Sequence, residues 1–79
     1  MNFITVNSIG GSIWSFNRDH ILVVSKRSIS TFTNEQLNNI PELKDMESCA
    51  IIRLVGESSE YMCKDSYESI MAQLNDENE

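Results

Sequence analysis

CAIIRLVGESSEYMCKDSYESIMAQLN, residues 49–75, decides the fold. Cys49 to Val55 is apolar on both sides of Arg53, with the β-branched pair Ile51-Ile52 at its centre, and reads as a strand buried on both faces. Gly56 marks a turn, and Ser59 to Lys64 returns beside the first strand with Tyr61 and Cys63 on one face. Asp65 with Glu68 three residues on has the form of a capping pair that opens a helix over Ser66 to Asn75. Within it Tyr67, Ile70, Met71 and Leu74 fall at i, i+3, i+4 and i+7. They make one apolar stripe, which must lie on the sheet.

Upstream, Ile4 and Val6 alternate with Thr5 and Asn7, so Phe3 to Ile9 reads as a half-buried strand. Gly10-Gly11 reverses the chain into Ser12 to Asn17, where Trp14 and Phe16 share a side. Asn17-Arg18-Asp19 is the next turn. His20 to Lys26 holds the run Ile21-Leu22-Val23-Val24, which predicts a central strand covered on each face, or on one face by another copy of the chain. Ser28 to Phe32 reads as extended chain. Thr33 and Gln36 form a capping box that opens a short helix over Asn34 to Asn39, stopped by Pro41. Glu42 to Ser48 reads as a polar surface loop with Leu43 and Met46 tucked under it. These elements predict an α+β domain over residues 1–75 with a frayed acidic tail over 76–79. Its centre is a small bent antiparallel sheet, or an SH3-like partly closed barrel, of about five strands. The C-terminal helix packs on the sheet, and a short helix sits in the 33–40 insert.

The chain has 79 residues, enough for one domain that buries only roughly 60 to 65% of its unfolded surface. Its 41% hydrophobic and 23% charged residues are those of a chain with a packed core. The formal net charge of −6 is not spread evenly. Up to residue 56 five bases meet five acids, whereas beyond it Lys64 stands against Glu57, Glu60, Asp65, Glu68, Asp76, Glu77 and Glu79. Such an end repels a phosphate backbone, which argues against non-specific DNA binding. No apolar run approaches the ~20 residues needed to span a bilayer, and the N-terminus lacks the form of a secretory signal. No membrane association and a cytoplasmic location are therefore expected.

Three blocks resemble the small FlbD-type proteins, also called SwrD, of bacterial flagellar and swarming loci. They are Ile4-Thr5-Val6 followed by Gly11, then Asn17-Arg18-Asp19-His20-Ile21, then Ile52-Arg53-Leu54-Val55-Gly56 leading through Tyr61 to Asp65-Ser66-Tyr67-Glu68-Ser69-Ile70. The resemblance implies a compact β-rich module acting through contacts with other proteins, with no catalytic residues to carry over. The chain departs from that pattern over Arg27 to Ser48, where those proteins have a much shorter connection. The insert is thus the expected place for a different function, with Phe32, Leu37, Leu43 and Met46 as its partner-binding residues.

Chemistry-bearing residues are sparse. His20 is the one histidine, so no second imidazole is present for a metal site, and its place after a turn fits a strand-edge side chain. Cys49 and Cys63 sit symmetrically about Gly56, which a tight hairpin would make cross-strand neighbours. Two buried small hydrophobes is the preferred reading over a bridge. Gly10-Gly11 lacks the frame of a phosphate loop. Arg18, Arg27 and Arg53, with Trp14 as a stacking surface, are the candidate ligand-binding residues if two subunits pool them around a nucleotide. The expected function is a non-enzymatic adaptor or inhibitor, of a kind a phage would use, that contacts another protein and self-associates into a homo-oligomer, with no cofactor and no metal. The alternative is an oligomeric small-ligand binder that sequesters a nucleotide signal between subunits.

Overall fold

In the computed structural model, which describes residues 3–75, the alternation at the start of the chain produces β1 (Phe3–Asn7), with Ile4 and Val6 buried and their neighbours exposed. β1 pairs antiparallel with β2 (Ile13–Asn17), Val6 opposite Trp14 and Ile4 opposite Phe16. The turn between them is held by Ser8, whose hydroxyl accepts the Ser12 N–H at 2.8 Å, and by Gly11 at φ 99°, a backbone angle that L side chains rarely adopt. Asn17 caps a 3-10 turn over Arg18–His20 by accepting the Asp19 N–H at 2.9 Å. The chain then enters β3 (Ile21–Ser28).

A three-stranded antiparallel sheet follows, ordered β3, β4 (Ser48–Leu54), β5 (Glu60–Cys63). β4 is the central strand as expected, with Cys49, Ala50, Ile51 and Ile52 all buried. β3 differs from expectation. It lies at the edge of this sheet, and a register shift between Ile21 and Val23 leaves Leu22 at 60% and Val23 at 42% exposure. The irregularity adds a residue opposite Arg53, so the inward alternation resumes only at Val24, which packs on the core. An apolar run of this kind marks a strand without saying how many neighbours it has.

α2 (Tyr67–Leu74) closes the fold and packs on β1, β3 and β4. Three of the four predicted stripe residues face inward: Ile70 is fully buried, and Tyr67 and Leu74 pack on the same core as Ile4, Val6, Phe16, Ala50, Ile52 and Cys63, while Met71 is half-buried outside that cluster. The cap, however, is Ser66, which accepts the Ser69 N–H at 3.0 Å. Asp65 instead accepts the Asn7 N–H at 2.6 Å, which helps to finish the free edge of β1. Along that edge Ser8 bridges Cys63, the Ile9 N–H donates to the Met62 carbonyl at 3.2 Å and the Lys64 N–H to the Asn7 carbonyl at 2.7 Å. Farther along, the Gln73 amide replaces a strand altogether: its oxygen accepts the Thr5 N–H at 3.1 Å and its nitrogen donates to the Thr5 carbonyl at 2.9 Å. Unpaired strand edges invite foreign strands, and here one is sealed by side chains.

The strands do not close into a barrel. Consecutive strands pair except β2 with β3, and the last strand bridges back to the end of the first, so one seam is missing among the described residues. The 3-10 turn at Arg18–His20 moves the chain from one sheet to the other, and α2 packs across β1, β3 and β4. The tail expected over 76–79 lies outside the described residues. Among the described residues no helix is long and apolar enough to cross a membrane.

The segment between β3 and β4 is not a loop. It runs through a 3-10 turn over Ile29–Thr31, α1 (Asn34–Asn39) and a second 3-10 turn over Pro41–Asp45. The capping box is present in full, the Thr33 hydroxyl accepting the Gln36 N–H at 3.1 Å and the Gln36 side chain accepting the Thr33 N–H at 2.9 Å. Phe32 and Leu43 are buried with Ile9, Cys49 and Ile51, and Ile29, Leu37, Ile40, Met46 and Met62 pack around them. This is a second core, on the face of β4 turned away from α2. Glu42 to Ser48, expected as a polar loop with Leu43 and Met46 tucked under it, is partly a 3-10 turn, and as expected Leu43 is buried and Met46 packs with it, which makes the segment a lid on the sheet.

Candidate functional site

Of the residues expected to bind a partner, Phe32 and Leu43 are interior, and Leu37 and Met46 pack against them. Their apolar surface is used inside the chain, because β4 is apolar on both faces and needs a cover on the second. The arginines do not gather. Arg18 donates from Nη2 to the Leu74 carbonyl at the end of α2. Arg27 lies near the other end of β3, six residues past Ile21, which is roughly 20 Å of strand. There it bonds the Thr31 hydroxyl at 3.0 Å and the Thr31 carbonyl at 3.2 Å, and its guanidinium carbon sits 4.2 Å from the Phe32 ring centre. Arg53 stands opposite Val23 and Glu60 in register, and its buried Nε has no hydrogen-bond partner among the described residues. No shared pocket follows from these positions within one chain.

His20 is exposed on the 3-10 turn, and its carbonyl accepts the Val55 N–H at 2.8 Å. The cysteines are not cross-strand neighbours. Ala50, not Cys49, is opposite Cys63, because the turn after β4 is longer than a tight hairpin and shifts the register by one. That shift puts the two side chains on opposite faces of the sheet, which rules out a bridge in this fold. Both are buried free thiols. Burial pushes Cys49 above its ordinary value and Cys63 up to about 12, the neighbouring Cys49 and Asp65 adding to the rise. Burial and the raised pKa both disfavour the thiolate form that a nucleophile needs. Among the described residues no three His, Cys, Asp or Glu side chains are grouped to hold a metal.

What the fold does build is a groove between the β1–β2 turn and the insert, with a volume of about 550 Å³. Ile9, Gly10, Ser8, Ser12 and Trp14 come from the hairpin, Asn39, Ile40 and Glu42 from the insert, and Glu60 and Met62 from β5. Trp14 is half-buried, held edge-on against Tyr61 with ring centres 5.3 Å apart, while Tyr61 also meets Phe16 at 5.2 Å. The indole thus packs on the core and at the same time lines the groove. The lining is mostly apolar, and two exposed carboxylates, Glu42 and Glu60, belong to it. An adjoining hollow of about 390 Å³ shares Ile9 and Glu42 and adds Asp45, Met46 and Lys64. Of the groove residues the sequence singles out only Trp14. The rest come from separate segments that no local pattern connects.

Comparison with protein-family models, with curated proteins and with solved structures finds no match to the chain.

Proposed function

We propose that the chain is a non-enzymatic binding module, an adaptor or inhibitor, whose groove between the hairpin turn and the insert receives a segment of another protein. The groove carries the reading: its lining is mostly apolar, it includes a half-buried tryptophan packed on the core, and it presents the exposed polar residues Ser12, Asn39, Glu42 and Glu60. Concave sites with a few convergent polar groups over apolar walls are where partners and ligands bind. The insert helps to build the groove, which fits its expected role, although through Asn39, Ile40 and Glu42 rather than through the four residues that anchor the lid. A second copy of the chain would pair along β3, the exposed edge that carries Leu22 and Val23.

A photo-crosslinking side chain at the exposed Asn39, compared with one at the exposed Ser69 on α2, tests the groove. One protein should be captured from position 39 and not from 69. Gly10→Phe should abolish the capture without changing the melting temperature, since a Cβ there meets nothing nearer than the Ser8 hydroxyl at 4.0 Å. Capture that is equal at both positions, or indifferent to Gly10→Phe, overturns the proposal. A thermal shift of several degrees with one member of a nucleotide panel would replace it with the ligand-sequestering alternative.

A further inference from the structure

We infer that the groove holds an arginine or lysine side chain presented by an extended basic peptide segment, its aliphatic stem along Trp14, Ile40 and Met62 and its charged head between Glu42 and Glu60. This rests on the proposed function and names the chemistry of the partner. The groove combines two surfaces that one ordinary apolar side chain cannot satisfy. Its mostly apolar lining asks for hydrocarbon, whereas two exposed carboxylates share that lining, and covering a carboxylate with an apolar partner costs several kcal/mol of hydration. Among the described residues neither the Glu42 nor the Glu60 carboxylate has a hydrogen bond or an ion pair of its own. Arg53 opposite Glu60 in register, Lys64 in the hollow shared with Glu42, and Lys44 in the same 3-10 turn as Glu42 pair with neither. Long basic side chains match such a site, because they carry an apolar stem and a cationic tip.

The size of the groove and the field of the chain agree with this occupant. At about 550 Å³ the groove is larger than one side chain, so the flanking residues of an extended segment fit with it. A chain with net charge −6 draws a basic segment in and repels nucleic acid and anionic lipid. Two carboxylates alone make a poor cage for calcium, which takes roughly six or more oxygens.

The test uses the whole chain and two blocked pentapeptides that differ only at the central residue, arginine in one and the neutral isostere citrulline in the other. The sole tryptophan, Trp14, reports binding by fluorescence, and the amides of Asn39, Ile40 and Met62 report its place by NMR. The arginine peptide should bind at least about tenfold tighter than its twin, a margin of the size expected for a charge-assisted hydrogen bond. The preference should shrink as salt is raised and fall to near unity in Glu42→Gln/Glu60→Gln, two exposed substitutions that leave the melting temperature in place. Equal binding of the two peptides at the groove overturns the basic-side-chain inference while leaving the protein-binding proposal standing. Absence of binding by both overturns the inference too, and the crosslink from position 39 then decides the wider proposal by itself.

Discussion

Truncating Leu43 to alanine asks whether the insert is a lid or a loop. The side chain is fully buried beneath a five-residue 3-10 turn, against Ile9, Phe32, Cys49 and Ile51. Removing its outer carbons loses their transfer energy and leaves a cavity, a combination that costs about 2–5 kcal/mol at such sites. A 79-residue domain has a total stability on the order of 4–12 kcal/mol, so the change removes a large share of it. At about 4–8 °C per kcal/mol for a domain of this size, a loss of about 3 kcal/mol lowers the melting temperature by roughly 12–24 °C. Leu22→Ala is the control, since that leucine is 60% exposed and truncating it should cost less than about 1 kcal/mol. Urea unfolding followed by Trp14 fluorescence and by circular dichroism measures both, and an unchanged denaturant slope shows that the two variants share one transition. The apolar run at Ile21–Val24 by itself implies the reverse order. A Leu22→Ala variant that is the less stable of the two would refute the edge position of β3 and the second core together.

Three further outcomes are expected. Gln73→Ala removes both hydrogen bonds to Thr5 and should cost about 1–2 kcal/mol, with faster hydrogen exchange of the Thr5 amide; unchanged exchange there would deny the clasp. The buried thiols make stability fall as pH rises. Between the ordinary thiol value near 8.5 and the folded-state value of about 12 for Cys63, the unfolded chain has lost a proton that the folded one keeps. Denaturant midpoints should therefore decline above about pH 8.5, less so in Cys63→Ala, and a thiol reagent at neutral pH should label neither cysteine before unfolding. Pairing of two copies along β3 should raise the mass seen by light scattering, and Val23→Lys should return it to that of one chain, while a native mass already that of one chain at high concentration would rule the pairing out.

Local pattern suffices for much of the fold. The alternation in Phe3–Asn7, the Thr33/Gln36 box and the Tyr67–Leu74 stripe each describe contacts within a few residues, and each is found where the pattern places it. Sheet position is not legible in this way. Ile21–Val24 and Cys49–Ile52 are equally apolar, and only the global pairing decides that β4 has two neighbours and β3 one. Asp65 and Ser66 compete for the helix cap, and the demand of the Asn7 N–H on a strand edge far away in sequence assigns Asp65 elsewhere. The lid does leave a trace. Ile40, Leu43 and Met46 recur every third residue across the 3-10 turn Pro41–Asp45 and its two caps, the repeat of such a turn rather than of a strand. The groove leaves none, because its walls converge only after both cores have formed.

The Gln73 clasp ties residues 68 positions apart. As the chain is synthesised, the first strand is made long before the helix that finishes its edge, and until then Thr5 offers bare amide and carbonyl groups to any passing strand. Folding has to wait for its last element, which makes the interval before that helix arrives the time of greatest exposure to wrong pairing.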